Sequence, residues 1–414
     1  MLNQLTQAQI RQLPTLDEVI YYLKDCEWRF VHDFGGWLNY QSPFGWLVPD
    51  DFLFSPTKAY YNNANEDEFV VSRTKSGRTT LCPNLKTKPF LYRGQNRLYD
   101  KILSSFERLG IEEKLKYNLM TEDFVTLLRT HPIFMMFDRG IKLDGEEKVF
   151  FINMNYYGLA QHYGFMTAVV DFTSDIDVAS FFACTRYLGN DQYEPITDTN
   201  EYPYGVVFVH RIDPHVTLKM CGFSTIGLQL YPRTGAQKGF LYNDTGYFPD
   251  VNELVSPLLF RHDAEVSRRI FERMKGGKLL FPDDNIAEHA REIQESNEVS
   301  GETYALNLYS NQEDAHINEK RLSELGFKIN WHKRMLFTPD TLDTFYSDMK
   351  NGYWEVFCNQ IFFGGKNGQQ LKESLLNIPR NSDYSHFFLK NEWDRLQNYN
   401  LDLRNRAVAN SHKK

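Results

Sequence analysis

The sequence predicts an α+β protein, and three observations predict it. Between residues 156 and 183 the apolar spacing changes from helix to strand and back. Tyr156, Leu159, Ala160 and Tyr163 recur at helical spacing, Thr167 to Phe172 is apolar and β-branched at its centre, and Val178, Phe181, Phe182 and Thr185 are helical again. Farther on, Tyr204 to Arg211 alternates as a strand does. The composition is that of a folded chain, because 42% hydrophobic and 15% aromatic residues supply a core. A chain of 414 residues exceeds what one core supports, so two or three domains are expected.

Residues 1 to 85 read as an N-terminal appendage. Thr15-Leu16-Asp17-Glu18 opens a capped helix with acidic residues in its first turn. Trp28, Phe30, Phe34, Trp37, Phe44 and Trp46 follow as a dense aromatic segment, read as a small core in preference to a partner surface. Asn62 to Asp67 and Thr74 to Arg78 are polar loops. The main domain spans 86 to 292, with a helix around Leu98 to Leu109 and a second that Thr121-Glu122-Asp123-Phe124 opens and Pro132 closes. Gly164 sits where a left-handed cap ends the helix that begins at Tyr156. Ser174 or Asp175 caps the helix after the strand, with Asp177 close to a capping-box position. Ser224 to Leu230 is read as another strand. The hydrophilic stretch Glu292 to Glu302 marks a boundary, and 293 to 414 reads as mixed and mainly helical, ending in a charged helix from Asn391 to Val408.

Phe90-Leu91-Tyr92-Arg93-Gly94-Gln95, then Gln161-His162-Tyr163-Gly164, Thr167, Asp171-Phe172-Thr173, and Ala179 with Phe181-Phe182-Ala183, occur in an order that resembles the FRG domain. Tyr204 to Phe208, Arg233 with Gln237, Gly239 and Phe240, and Leu280-Phe281-Pro282-Asp283 extend the resemblance over about residues 86 to 292. Tyr92 replaces the Phe of the family's tripeptide, and Met166 and Phe172 stand where Pro and Trp are usual. The motif order is in turn similar to that of ADP-ribosyltransferases of the Arg, Ser-Thr-Ser, Glu type. That likeness implies a mixed or antiparallel sheet flanked by helices, with NAD as substrate. It implies Arg93 at the phosphates and Thr173 with Ser174 at the nicotinamide ribose, joined in binding by Gly94, Gln161 and Arg233. Gln237 stands at the position of the third motif as an amide, so Asp171 is the nearest source of negative charge and His162 a proton carrier. Two functions follow from the resemblance: cleavage of NAD at the nicotinamide ribose in a bacterial toxin or phage-defence role, or a catalytically silent module that binds a nucleotide or a protein partner.

The residue types suit such chemistry. Departure of nicotinamide develops positive charge on the ribose, which a fixed acceptor stabilises, and a planar Arg fork matches paired phosphate oxygens. Each residue also has a plain structural reading. Arg93 can tie two strands together through Asp171, His162 can fill a polar corner, Thr173 and Ser174 are ordinary caps, and Gln237 can satisfy backbone groups.

Other classes are disfavoured. A net charge of −8 argues against a grip on a nucleic-acid backbone. The stripe Arg261, Arg268, Arg269, Arg273, Lys275 and Lys278 is diluted by Glu265 and Glu272 and reads as a solvated helix face. The five cysteines, Cys26, Cys82, Cys184, Cys221 and Cys358, form no close pair, so neither a disulfide framework nor a metal site is expected. Cys221 to Gly227 has the wrong spacing for a nucleophile elbow. With no signal-peptide core and no long apolar run, a cytoplasmic protein without a membrane partner is expected.

Overall fold

The computed structural model describes residues 5–33, 64–73, 79–142, 149–212, 222–243, 248–311, 315–348, 352–363 and 368–377. Phe34, Trp37, Phe44, Trp46, Cys221, the loop 74–78 and the terminal helix expected over 391–408 lie outside these residues. Helices and several separate sheets make the protein α+β. Its strands are β1 (Phe69–Arg73), β2 (Thr79–Pro83), β3 (Phe90–Gln95), β4 (Ile141–Lys142), β5 (Val149–Phe150), β6 (Val169–Thr173), β7 (Thr185–Gly189) and β8 (Gln192–Pro195). They continue with β9 (Tyr204–Arg211), β10 (Phe223–Thr225), β11 (Gly239–Asn243), β12 (Ser256–Arg261), β13 (Glu298–Ser300), β14 (Lys328–Asn330) and β15 (Ile361–Phe362). Two compact units arise from interleaved stretches, whereas the division of the sequence at 85 and 292 follows the chain. Met1–Leu103, Val169–Asp283 and Gln360–Gly368 form the first unit, and Ser104–Ala168, Asp284–Asn359 and Gln369–Lys414 form the second.

The first unit is built on a six-stranded sheet of order β10-β11-β6-β3-β9-β12. All its neighbouring strands are antiparallel. Its pairing is uneven. β3 pairs β9 from Phe90↔Arg211 to Gln95↔Val206, and β6 pairs β11 from Val169↔Asn243 to Thr173↔Gly239, but β3 and β6 pair only at Tyr92↔Thr173. The sheet is therefore two three-stranded ladders joined at one residue pair. Alternation sends Leu91, Val170, Phe172, Val206 and Phe208 into one core and Tyr92, Val207, Val209 and Phe260 into another. The second core is completed by Leu16, Val19 and Leu23 of the Leu16–His32 helix and by Val178, Ala179 and Phe181 of the Ile176–Ala183 helix. A capping box between Thr15 and Glu18 starts the first of these, as the sequence predicts. Asp175 starts the second, its side chain accepting from the Asp177 N–H at 2.9 Å. In the same unit β15-β1-β2 form a smaller sheet, and β7 with β8 form a hairpin.

Two expectations in this unit are corrected. The expected strand from Ser224 to Leu230 stops at Thr225, because Gly227 turns with φ +69° against the Leu81 backbone, where a Cβ would lie 2.1 Å from the Leu81 carbonyl oxygen. Leu98 to Leu103, expected to begin a helix, is irregular.

In the second unit Phe106 to Leu109 is a run of turns, and the helix begins only after Gly110, spanning Ile111–Arg129. Thr121 is inside that helix, where its hydroxyl donates to the Tyr117 carbonyl at 2.9 Å, so it opens nothing. Pro132 does not close that helix but sits in the first turn of the next, Pro132–Arg139, where its missing N–H costs least. The Ile111–Arg129 helix packs against the helices Tyr156–His162, Asn285–Glu295, Gly301–Asn311 and Ala315–Glu324. Gly164 has φ +83° just past the Tyr156–His162 helix, as its position in the sequence predicts. The hydrophilic stretch from Glu292 to Glu302 runs through the Asn285–Glu295 helix, β13 and the start of the Gly301–Asn311 helix. Residues 357 to 363, expected to be helical, divide between the Trp354–Asn359 helix and β15.

Candidate functional site

Arg93 and Gly94 lie where the two ladders meet. A Cβ on Gly94 would fall 1.8 Å from the Ala179 carbonyl oxygen, so Gly is the residue that lets the Ile176–Ala183 helix approach β3. This helix fixes the strand while the neighbouring Arg93, half-buried, reaches β6 and donates from Nη1 to the Asp171 carbonyl at 2.8 Å. Tyr92, buried beside it, donates to Glu27 at 2.8 Å, and Lys88 binds the other Glu27 oxygen at 2.7 Å. The hydroxyl added at the family's Phe position thus has a dedicated acceptor.

Thr173, Ser174 and Gln237 are brought together by the β6–β11 ladder. The Thr173 hydroxyl donates to the Gln237 carbonyl at 2.7 Å and accepts from the Asp175 N–H at 3.0 Å. The Ser174 N–H donates to the Lys238 carbonyl at 3.3 Å, and the Gln237 amide donates to the Leu280 carbonyl at 3.0 Å. These are the backbone-supporting contacts of the plain reading. Lys238, at φ +45°, lies between Asp67 at 3.2 Å and Asp175 at 3.3 Å. Burial works against its charge, yet the two carboxylates hold its pKa above the ordinary lysine value.

Arg233 is buried in the short helix Pro232–Ala236. Its Nη1 lies 2.7 Å from the Asp191 carboxylate at the tip of the β7–β8 hairpin, and its guanidinium carbon lies 6.0 Å from the Phe281 ring centre. Tyr193 stacks on Phe281 with centroids 5.3 Å apart, and Tyr187 tilts against Tyr193 at 5.1 Å. Burial pushes the Tyr193 phenol far up, with Tyr187, Asp191 and Asp171 acting in the same sense and Arg233 opposing them. Asp171, Asp191 and Arg233 therefore share one electrostatic neighbourhood with that phenol.

Gln161 and His162 belong to the second unit. There Gln161 accepts from the Thr167 hydroxyl, and His162 is buried at the end of the Tyr156–His162 helix. Tyr163 donates to Asp284 at 2.6 Å, and Gln294 donates to the Tyr163 carbonyl at 2.8 Å. The Gln-His-Tyr-Gly motif thus fastens this helix to the Asn285–Glu295 helix, whose N-cap is Asp284.

Asp191, Tyr193 and Lys238 were not singled out from the sequence. Gly189-Asn190-Asp191 between two short runs was the available turn signal for the hairpin. Phe281 was visible only as part of its motif block. Among the described residues no group of three or more His, Cys, Asp or Glu side chains could hold a metal ion, and no helix is long and apolar enough to cross a membrane.

Comparison with curated proteins and with solved structures finds no match. Residues 88–192 match the family model of the FRG domain, a stretch that holds Arg93, Gly94, the Gln161 motif, Asp171, Thr173, Ser174 and the Asp191 turn. Over that stretch the chain carries an FRG domain.

Proposed function

We propose that the first unit binds a pyrophosphate-bearing nucleotide of the NAD class. One observation carries this reading: Arg233, buried, paired with Asp191 and backed by the Phe281 ring, shares the surroundings of the Tyr193 phenol with Asp171, whose carbonyl Arg93 binds. Guanidinium forks suit phosphate oxygens, so the two arginines offer the phosphate half of nucleotide recognition, while the Phe281 ring, stacked on Tyr193, backs Arg233. Arg93 and Arg233 are the phosphate partners in this reading, with Gly94 admitting the close helix and Thr173 and Ser174 shaping the strand end. The ADP-ribosyltransferase-like description of the fold belongs to the same proposal, supported by a sheet whose ladders meet at one pair beside Arg93.

Binding is favoured over transfer. Cleavage at the nicotinamide ribose needs a fixed negative charge beside the developing cation. Gln237 carries none and commits its amide to Leu280, while the Thr173 hydroxyl is engaged on both sides. Asp171 is the carboxylate that supplies this charge in the transferase reading. The two are separated by calorimetric titration of the full chain with NAD, followed by an assay of released nicotinamide, for wild type and Arg93→Ala. Binding that is lost in Arg93→Ala at an unchanged melting temperature is the expected result. Nicotinamide release by the wild type would establish the enzyme reading, and no heat of binding at millimolar NAD would sink both.

A further inference from the structure

We propose that the β7–β8 hairpin is a self-blocking strap: the Asp191 carboxylate occupies the anion position on Arg233, and a ligand phosphate binds there by displacing it. The inference rests on the nucleotide-binding reading and adds the regulation of that same site.

The pair is asymmetric. The Arg233 side chain is 3% exposed and backed by Phe281, whereas Asp191 is 30% exposed, so the carboxylate sits on the solvent side of a fixed cation. An incoming anion meets Asp191 first. A pyrophosphate presents two charges and more acceptor oxygens than one carboxylate, and it suits the guanidinium fork equally well.

The turn itself favours another residue. Gly189 pairs with Gln192, leaving a two-residue loop of Asn190 at φ +48° and Asp191 at φ +58°. Such loops favour Gly at the second position, because a residue with a Cβ is disfavoured in the left-handed region. Asp191 holds that conformation while placing its carboxylate on Arg233.

The tip of the hairpin can lift while its base stays packed through Tyr193 on Phe281. β7 and β8 form a sheet of their own among the described residues, so lifting the tip breaks no ladder of the six-stranded sheet. A register shift between Tyr187 and Gly189 loosens the strand just before the turn, and Tyr187 and Leu188 are exposed there.

The test titrates the full chain with NAD and, separately, with inorganic phosphate, using wild type, Asp191→Asn, Asp191→Gly and the double variant Asp191→Gly/Arg233→Ala. A strap closed about nine-tenths of the time lowers apparent affinity roughly tenfold, so both single variants should bind roughly tenfold tighter and the double variant should lose the gain. Gly suits the left-handed turn, so Asp191→Gly keeps the measurement readable even if Asp191→Asn folds poorly. Equal or weaker binding by the single variants, with wild type still binding NAD, overturns the strap and leaves the nucleotide reading standing. No binding of NAD or phosphate by any of the four proteins overturns both.

Discussion

Two buried charge pairs in this chain look alike in composition and differ in exposure. In the second unit Asp123 is fully buried, accepts from the Ser300 hydroxyl at 2.6 Å and the Ser300 N–H at 3.0 Å, and lies 3.6 Å from Lys333. Burial pushes its carboxyl up, and Ser300, Thr303 and Lys333 pull it back. Lys333 is further committed to the Glu298 carbonyl at 2.8 Å. In the first unit Arg233 is equally enclosed, but its carboxylate partner stands at a turn open to solvent. The difference teaches that burial of a charge does not mark a site. A network whose acceptor is enclosed by donors is structural, and a buried cation with a replaceable partner is where a ligand can compete.

The largest effect is expected from Asp123→Ala. It takes the acceptor from the buried Ser300 and the carboxylate from the part-buried Lys333, and should cost about 3–5 kcal/mol in a denaturant titration, with NAD binding unchanged at temperatures where the protein is folded. Asp191→Asn should cost below about 1 kcal/mol, because Asp191 is part-exposed and an amide oxygen still accepts from Arg233. Similar costs for the two variants would break the contrast. Gly94→Ala comes next, at about 3 kcal/mol, since its Cβ meets helix backbone that cannot swing aside. A normal melting curve for that variant would show that the helix is not fixed against β3.

Acid tests both units at once. Burial, helped by His289, lowers the pKa of His131 to about 3 in the second unit, and burial lowers His262 to about 4 in the first, against a hydrogen bond that its ring donates to the Asn96 carbonyl and that raises it. Both folded values lie below the ordinary 6.5, so the unfolded chain binds protons first as pH falls. The stability from keeping these rings neutral is complete above about pH 6.5 and is lost as pH falls toward the folded values. At pH 5 each should have cost about 2 kcal/mol relative to pH 7. Melting curves across this range should decline steadily, and His262→Gln should reduce the slope. A flat profile would mean that neither ring is held neutral.

The core elements were legible because their periodicity is local: the strand at Tyr204, the cap at Thr15 and the Gly164 stop each depend on a few neighbouring residues. What failed depended on distant contacts. Gly227 ends β10 because Leu81 approaches from another strand, and Thr121 looks like a cap until a helix that started at Ile111 runs through it. The candidate set was legible in type, with Arg93 and Arg233 recognised as polar groups inside apolar elements. Their partners were not, since Asp191 is 42 residues from Arg233 and Asp171 is 78 from Arg93. Nothing in spacing announces such pairs.

A smaller effect than those of Asp123→Ala and Gly94→Ala concerns the departure from the tripeptide of the resembled family. Tyr92→Phe restores the usual residue but removes the donor that satisfies one oxygen of Glu27, which is 8% exposed and retains Lys88. Loss of one hydrogen bond to a buried charged acceptor should cost about 1–2 kcal/mol, less than the Asp123 change because the carboxylate keeps its cation. Glu27→Gln alone should cost a similar amount, and the double variant less than the sum, since both changes remove the same contact. Strict additivity would mean that the Tyr92 hydroxyl and Glu27 act independently, and the Leu16–His32 helix would then be held to β3 by apolar packing alone.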